Sequence, residues 1–121
     1  MSTALLVEDS LTEVEVITRY LKGLGLQVLW ANSCEEAKEH LSKGTPDLIV
    51  LDVILPGQSG FELCRELKSD PSTDSIPVMI CSTKNTETDK LWGDMLGADA
   101  YCAKPVDPQE FETIVRKLVK A

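Results

Sequence analysis

Five short apolar runs, Ala4–Val7, Val28–Ala31, Leu48–Leu51, Val78–Cys81 and Ala100–Ala103, are each followed by a stretch with helical spacing. No other feature restricts the fold of this chain as much. Short, continuous apolar runs read as strands buried on both faces, the pattern of a parallel sheet. Strict alternation of strand and helix then demands right-handed crossovers and helices on both faces of that sheet. The predicted class is α/β in three layers. No linker or composition break interrupts the 121 residues, so a single domain over 1–121 is expected.

Helix boundaries carry their own signals. Phe111, Ile114, Val115, Leu118 and Val119 follow the i, i+3, i+4, i+7, i+8 rhythm of an amphipathic helix. That helix opens with Asp107-Pro108-Gln109-Glu110, a cap, a first-turn proline and an acid for a capping box. Ser10-Leu11-Thr12-Glu13 and Ser33-Cys34-Glu35-Glu36 repeat the signal for the first and second helices. Gly25, Gly44 and Gly97 stand where helices should stop.

Charge narrows the partners. Twenty acidic residues against 12 basic ones give a net charge of −8, which repels nucleic-acid phosphate and anionic lipid. Neither is expected as a partner, whereas cations and basic protein surfaces are. The apolar runs are too short to span a bilayer, the first residues do not read as a signal peptide, and the expected location is cytoplasmic. Cys34, Cys64, Cys81 and Cys102 form no CxxC pair, and His40 is the lone histidine, so no Cys/His zinc set exists. The cysteines read as reduced core residues.

Parallel sheets of this kind bind ligands beyond the carboxyl ends of their strands. Here the first strand runs into Glu8-Asp9, the third into Asp52, the fourth into Ser82-Thr83 and the fifth into Lys104-Pro105. Three carboxylates, a hydroxyl and an ammonium are thus expected at one edge. Like charges crowded together call for a counter-ion, and hard oxygen ligands suit Mg²⁺. Held without a partner, the carboxylates are expected to destabilise the metal-free fold.

These residues carry a resemblance. Leu6-Val7-Glu8-Asp9-Ser10, the run from Leu51-Asp52 to Ser59-Gly60, Ile76 to Ser82, and Gly97 to Lys104-Pro105 resemble the CheY-like receiver domain of two-component response regulators. Ser82-Thr83-Lys84 and Leu91-Trp92-Gly93 resemble the stand-alone receivers of type IV pilus and phototaxis systems, of the PilH kind. The resemblance implies a flavodoxin-like (βα)5 fold with strand order 2-1-3-4-5. It also implies a phosphorylation switch in a two-component relay, not an enzyme with turnover on a separate substrate, with motility or phototaxis as the controlled output.

By the same resemblance, Asp52 is the phosphoacceptor, fed by a sensor histidine kinase or phosphotransfer protein. Glu8, Asp9, Asp52 and the backbone carbonyl of Ile54 would hold Mg²⁺. Lys104 would meet a phosphoryl oxygen as a point charge, and Ser82 would swing to bond another. Tyr101 would turn inward once Ser82 has moved, and Lys104-Pro105 would be cis. Ile54 and Lys84 occupy positions that tune hydrolysis of the acyl phosphate. The downstream target would be a protein bound on the face of the fourth helix, fifth strand and fifth helix.

Rival readings fit less well. A phosphatase or toprim enzyme would want a second carboxylate two residues after Asp52, where Ile54 stands. A dinucleotide site would want glycines where Glu8-Asp9 repel phosphate. A receiver-like module that is never phosphorylated would lack part of the acid and lysine set. Thr88, Leu91, Trp92, Met95 and Leu96 share helical spacing and read as core or flank packing, Trp30 reads as structural, and His40 as solvated.

Overall fold

The computed structural model describes residues 2–119. Five strands and five helices alternate: β1 (Thr3–Val7), α1 (Leu11–Gly23), β2 (Gln27–Ala31), α2 (Cys34–Lys43), β3 (Leu48–Leu51), α3 (Gly60–Ser69), β4 (Val78–Ser82), α4 (Glu87–Met95), β5 (Ala100–Ala103) and α5 (Pro108–Leu118). The sheet is parallel throughout, in the order β2-β1-β3-β4-β5. This is the flavodoxin-like architecture that the alternation and the resemblance imply.

The pleat sorts each buried run between two cores. Ala4, Leu6, Leu48, Val50, Met79 and Cys81 face Ile17 and Leu21 of α1 and Phe111 and Val115 of α5. Their neighbours Leu5, Val7, Ile49, Leu51 and Val78 face Cys34 and Ala37 of α2 and Leu63, Cys64 and Leu67 of α3. Each large side chain buried this way contributes roughly 1.5–3 kcal/mol. All four cysteines are free and buried, and Cys81 stands opposite Cys102 in the β4–β5 register. Among the described residues no helix is long and apolar enough to cross a membrane.

Local signals hold with two corrections. Ser10, Ser33 and Asp107 cap α1, α2 and α5, each accepting from the backbone N–H three residues on. The box expected at Asp107 is one-sided, because Glu110 accepts from the Cys102 thiol instead. A complete capping box lies at Thr86 and Asp89, opening α4.

The second correction concerns the stripe on α4. Leu91, Trp92 and Met95 are 61%, 49% and 68% exposed, so they are not core. The helix turns Asp89 and Gly93 inward instead. A Cβ on Gly93 would stand 2.9 Å from Cδ2 of Tyr101, so the tyrosine ring occupies the space that an apolar stripe would otherwise fill.

Candidate functional site

The carboxyl edge gathers its charged groups through backbone continuity. Asp52 follows β3 directly, and its N–H donates to the Val7 carbonyl at 3.0 Å, keeping it beside the end of β1. Glu8 follows β1, with its N–H on the Ala31 carbonyl at 3.0 Å. Lys104 follows β5, its N–H on the Ser82 carbonyl at 3.1 Å, and its bond to Pro105 is cis as expected.

Both oxygens of Asp52 are engaged. Oδ1 accepts from the N–H groups of Val53 at 2.6 Å and Ile54 at 3.3 Å. Oδ2 accepts from Lys104 Nζ at 2.9 Å. The same ammonium donates to Glu8 Oε1, so it bridges the two buried carboxylates. Glu8 Oε2 accepts from the N–H groups of Asp9 and Ser10 at 3.1 and 3.3 Å.

The expectation of carboxylates held without a partner is therefore corrected: Lys104 is the partner. Burial opposes ionisation of Asp52, but hydrogen bonding and charge from Lys104, with help from Ser82, outweigh it and hold the carboxyl below the usual aspartate range. Burial pushes Glu8 up to about 7, against the hydrogen bond from Lys104 and with the charge of Asp52 adding to the rise. Of the two buried carboxyls, Asp52 is thus the harder to protonate and Glu8 the easier.

Glu8, Asp9 and Asp52 each bring an oxygen within 4.8 Å of the others, Asp9 from an exposed position. Three carboxylates against one ammonium leave an excess of negative charge on hard oxygen donors. That donor set fits a small divalent cation.

The remaining candidates lie around this centre. Ser82 is fully buried at the end of β4, its hydroxyl accepting from the Lys84 N–H at 3.1 Å. The Tyr101 hydroxyl donates to the Lys84 carbonyl, and its ring packs 6.5 Å from that of Phe61. The Lys84 ammonium is 2.9 Å from Asp89 Oδ1, engaged with α4. Ile54, two residues beyond Asp52, is 58% exposed.

The contacts of three further residues escape the sequence reading. Gly60 opens α3 against the Asp52 backbone, and a Cβ there would stand 1.9 Å from the Asp52 carbonyl oxygen. Trp30, read as structural, donates its indole N–H to the Glu8 carbonyl at 2.7 Å. His40, read as solvated, is half-buried with Nε2 3.1 Å from the Trp30 carbonyl oxygen. No periodicity signals these contacts, since each depends on how one element packs on another.

With this geometry in place, comparison with known proteins is decisive. The response regulator receiver domain matches residues 4–116. The chain belongs to that family. It is 40% identical to Protein PilH of Pseudomonas aeruginosa over 109 residues, covering 90% of each chain. It is 36% identical over 118 residues to the phosphate regulon transcriptional regulatory protein PhoB of the same organism, covering 98% of this chain and 52% of PhoB. This receiver thus spans about half the length of PhoB.

Two solved structures overlay closely. A putative response regulator from Chloroflexus aurantiacus J-10-fl superposes with a TM-score of 0.94 at 34% identity, over 99% of this chain and 98% of that one. The signal receiver domain of a signal transduction histidine kinase from Syntrophus aciditrophicus gives 0.90 at 33% identity, over 98% and 90%.

Proposed function

We propose that this receiver accepts a phosphoryl group on Asp52 from the phosphohistidine of a histidine kinase or phosphotransfer protein, and that the modification switches its contacts with a protein target. The observation that carries the reading is the setting of Asp52: buried at the carboxyl edge and flanked by the Lys104 ammonium and two backbone N–H groups, which favour its charged form. One carboxylate oxygen would attack phosphorus as the phosphorus–nitrogen bond breaks, and the released imidazole would carry away the electron pair and take up a proton. Lys104 would follow the charge onto a phosphoryl oxygen, and the Ser82 hydroxyl would leave the Lys84 N–H to bond another.

Glu8, Asp9, Asp52 and the Ile54 carbonyl would hold Mg²⁺. Bound there, it would supply positive charge against the charge on the phosphoryl group.

The output would pass through Tyr101, which links the site to α4 through its hydroxyl on Lys84 and its ring on Gly93. The target would dock on the α4–β5–α5 face, where Leu91, Trp92 and Met95 supply exposed apolar area for a protein partner. The 40% identity to PilH supports motility as the process served.

The test is labelling by a small phosphodonor such as acetyl phosphate, in Mg²⁺, of wild type and Asp52→Asn. Labelling should be acid-stable, base-labile and absent from the variant. An Asp52→Asn protein labelled at the wild-type rate would overturn the assignment.

A further inference from the structure

We propose that Trp30 is a positioning residue for the metal-binding turn, setting the peptide plane from which Glu8 and Asp9 project; this rests on the reading of those acids as Mg²⁺ ligands.

Glu8 is held by the end of β2 through both of its backbone polar groups. Its N–H donates to the Ala31 carbonyl at 3.0 Å and its carbonyl accepts the Trp30 indole N–H at 2.7 Å. A trans peptide is planar, with C=O and N–H pointing in opposite directions. Fixing the Glu8 carbonyl toward Trp30 therefore aims the Asp9 N–H the other way. There it meets Glu8 Oε2 at 3.1 Å, with the Ser10 N–H on the same oxygen at 3.3 Å. One indole contact thus orients the peptide, the peptide orients the Glu8 carboxylate, and the carboxylate shares its other oxygen with Lys104.

The backbone that carries the indole is itself held. Trp30 pairs with Leu6 in the β1–β2 register, and its carbonyl oxygen lies 3.1 Å from His40 Nε2 on α2. Trp30 is 39% exposed, so its ring is only partly committed to packing and its N–H is placed for this hydrogen bond. The indole N–H is what phenylalanine or leucine would not provide at this place.

Trp30→Phe keeps an aromatic ring and removes the indole N–H donor, together with the second ring of the indole. Loss of one positioning hydrogen bond should weaken Mg²⁺ binding by roughly three- to ten-fold in calorimetry, while the melting temperature in EDTA stays close to wild type. The wild-type protein supplies a second readout. Its two tryptophans, Trp30 and Trp92, give two indole N–H resonances, and the one missing in Trp30→Phe is assigned to Trp30. That signal should shift during Mg²⁺ titration and saturate with the calorimetric curve. Unchanged Mg²⁺ affinity in Trp30→Phe, or a Trp30 resonance that does not respond, overturns the positioning role alone. Failure of wild type to bind Mg²⁺ overturns the metal reading and this inference together.

Discussion

The ammonium of Lys104 lies 2.9 Å from Oδ2 of Asp52, both side chains almost wholly buried, and it reaches Glu8 as well. Removing one partner of a buried ion cluster is far more damaging than removing an exposed pair, because the remaining charge is left without compensation. Lys104→Met, which keeps the stem and deletes the charge, should destabilise the metal-free protein by roughly 3 kcal/mol. Asp52→Ala should do less harm, since Lys104 retains Glu8. Urea unfolding in EDTA measures both, and a Lys104→Met protein as stable as Asp52→Ala would contradict the bridging role.

The pH dependence follows from Glu8. With its pKa pushed up to about 7 by burial, the folded state holds a proton over the interval from 4.5 to 7 that the unfolded chain releases. The Glu8 contribution is therefore full below 4.5 and is lost as pH rises through 7. Asp52, lowered, works in the opposite sense and contributes stability above its usual range that is lost only on strong acidification. Melting temperature in EDTA should accordingly fall between pH 5.5 and 8. Glu8→Gln should flatten this difference, and Mg²⁺ should restore stability at the higher pH by binding the ionised carboxylates of the native state.

Gly60 and Gly93 should respond differently to alanine. At Gly60 the added carbon meets backbone, 1.9 Å from the Asp52 carbonyl oxygen, and nothing there can swing aside. Gly60→Ala should cost about 2 kcal/mol or more and impair labelling of Asp52. At Gly93 the carbon meets the edge of the Tyr101 ring at 2.9 and 3.0 Å. The helical gain of about 1 kcal/mol from glycine to alanine offsets part of that strain. Gly93→Ala should stay near wild-type stability while the Tyr101 ring resonances move, so unmoved resonances would contradict the packing.

Ile54 bears on the lifetime of the acyl phosphate. Hydrolysis needs an in-line water, and this side chain, 58% exposed beside Asp52, has no group to hydrogen-bond one. Ile54→Asn should speed dephosphorylation on the order of ten-fold, as gain of a positioning contact can. Rates compared in one Mg²⁺ buffer check this. If the variant is no faster, hydrolysis is gated elsewhere, and Lys84, engaged with Asp89, is the next residue to change.

Much of this molecule was legible before any coordinates. Buried strands such as Leu48–Leu51 announce themselves because both faces of a parallel sheet must be apolar. Glu8, Asp9, Asp52, Ser82 and Lys104 are legible as a group because each stands at or just past the carboxyl end of a strand. The order of the strands and the chemical roles came from resemblance to receivers.

Local pattern and strand-end position determined the elements, the two-sided sheet and the edge at which charge collects, since all three follow from the order of residues along the chain. Tertiary structure decided what that pattern left open. Periodicity says that Leu91, Trp92 and Met95 share a stripe of α4, but the turning of the helix is set by Gly93 against Tyr101. A charge list places Lys104 near three acids, but its bridge between Glu8 and Asp52 requires the lengths of three strands to match. The indole of Trp30 reaches the Glu8 carbonyl only because β2 lies beside β1 in register, a relation between residues 22 positions apart that no local pattern encodes.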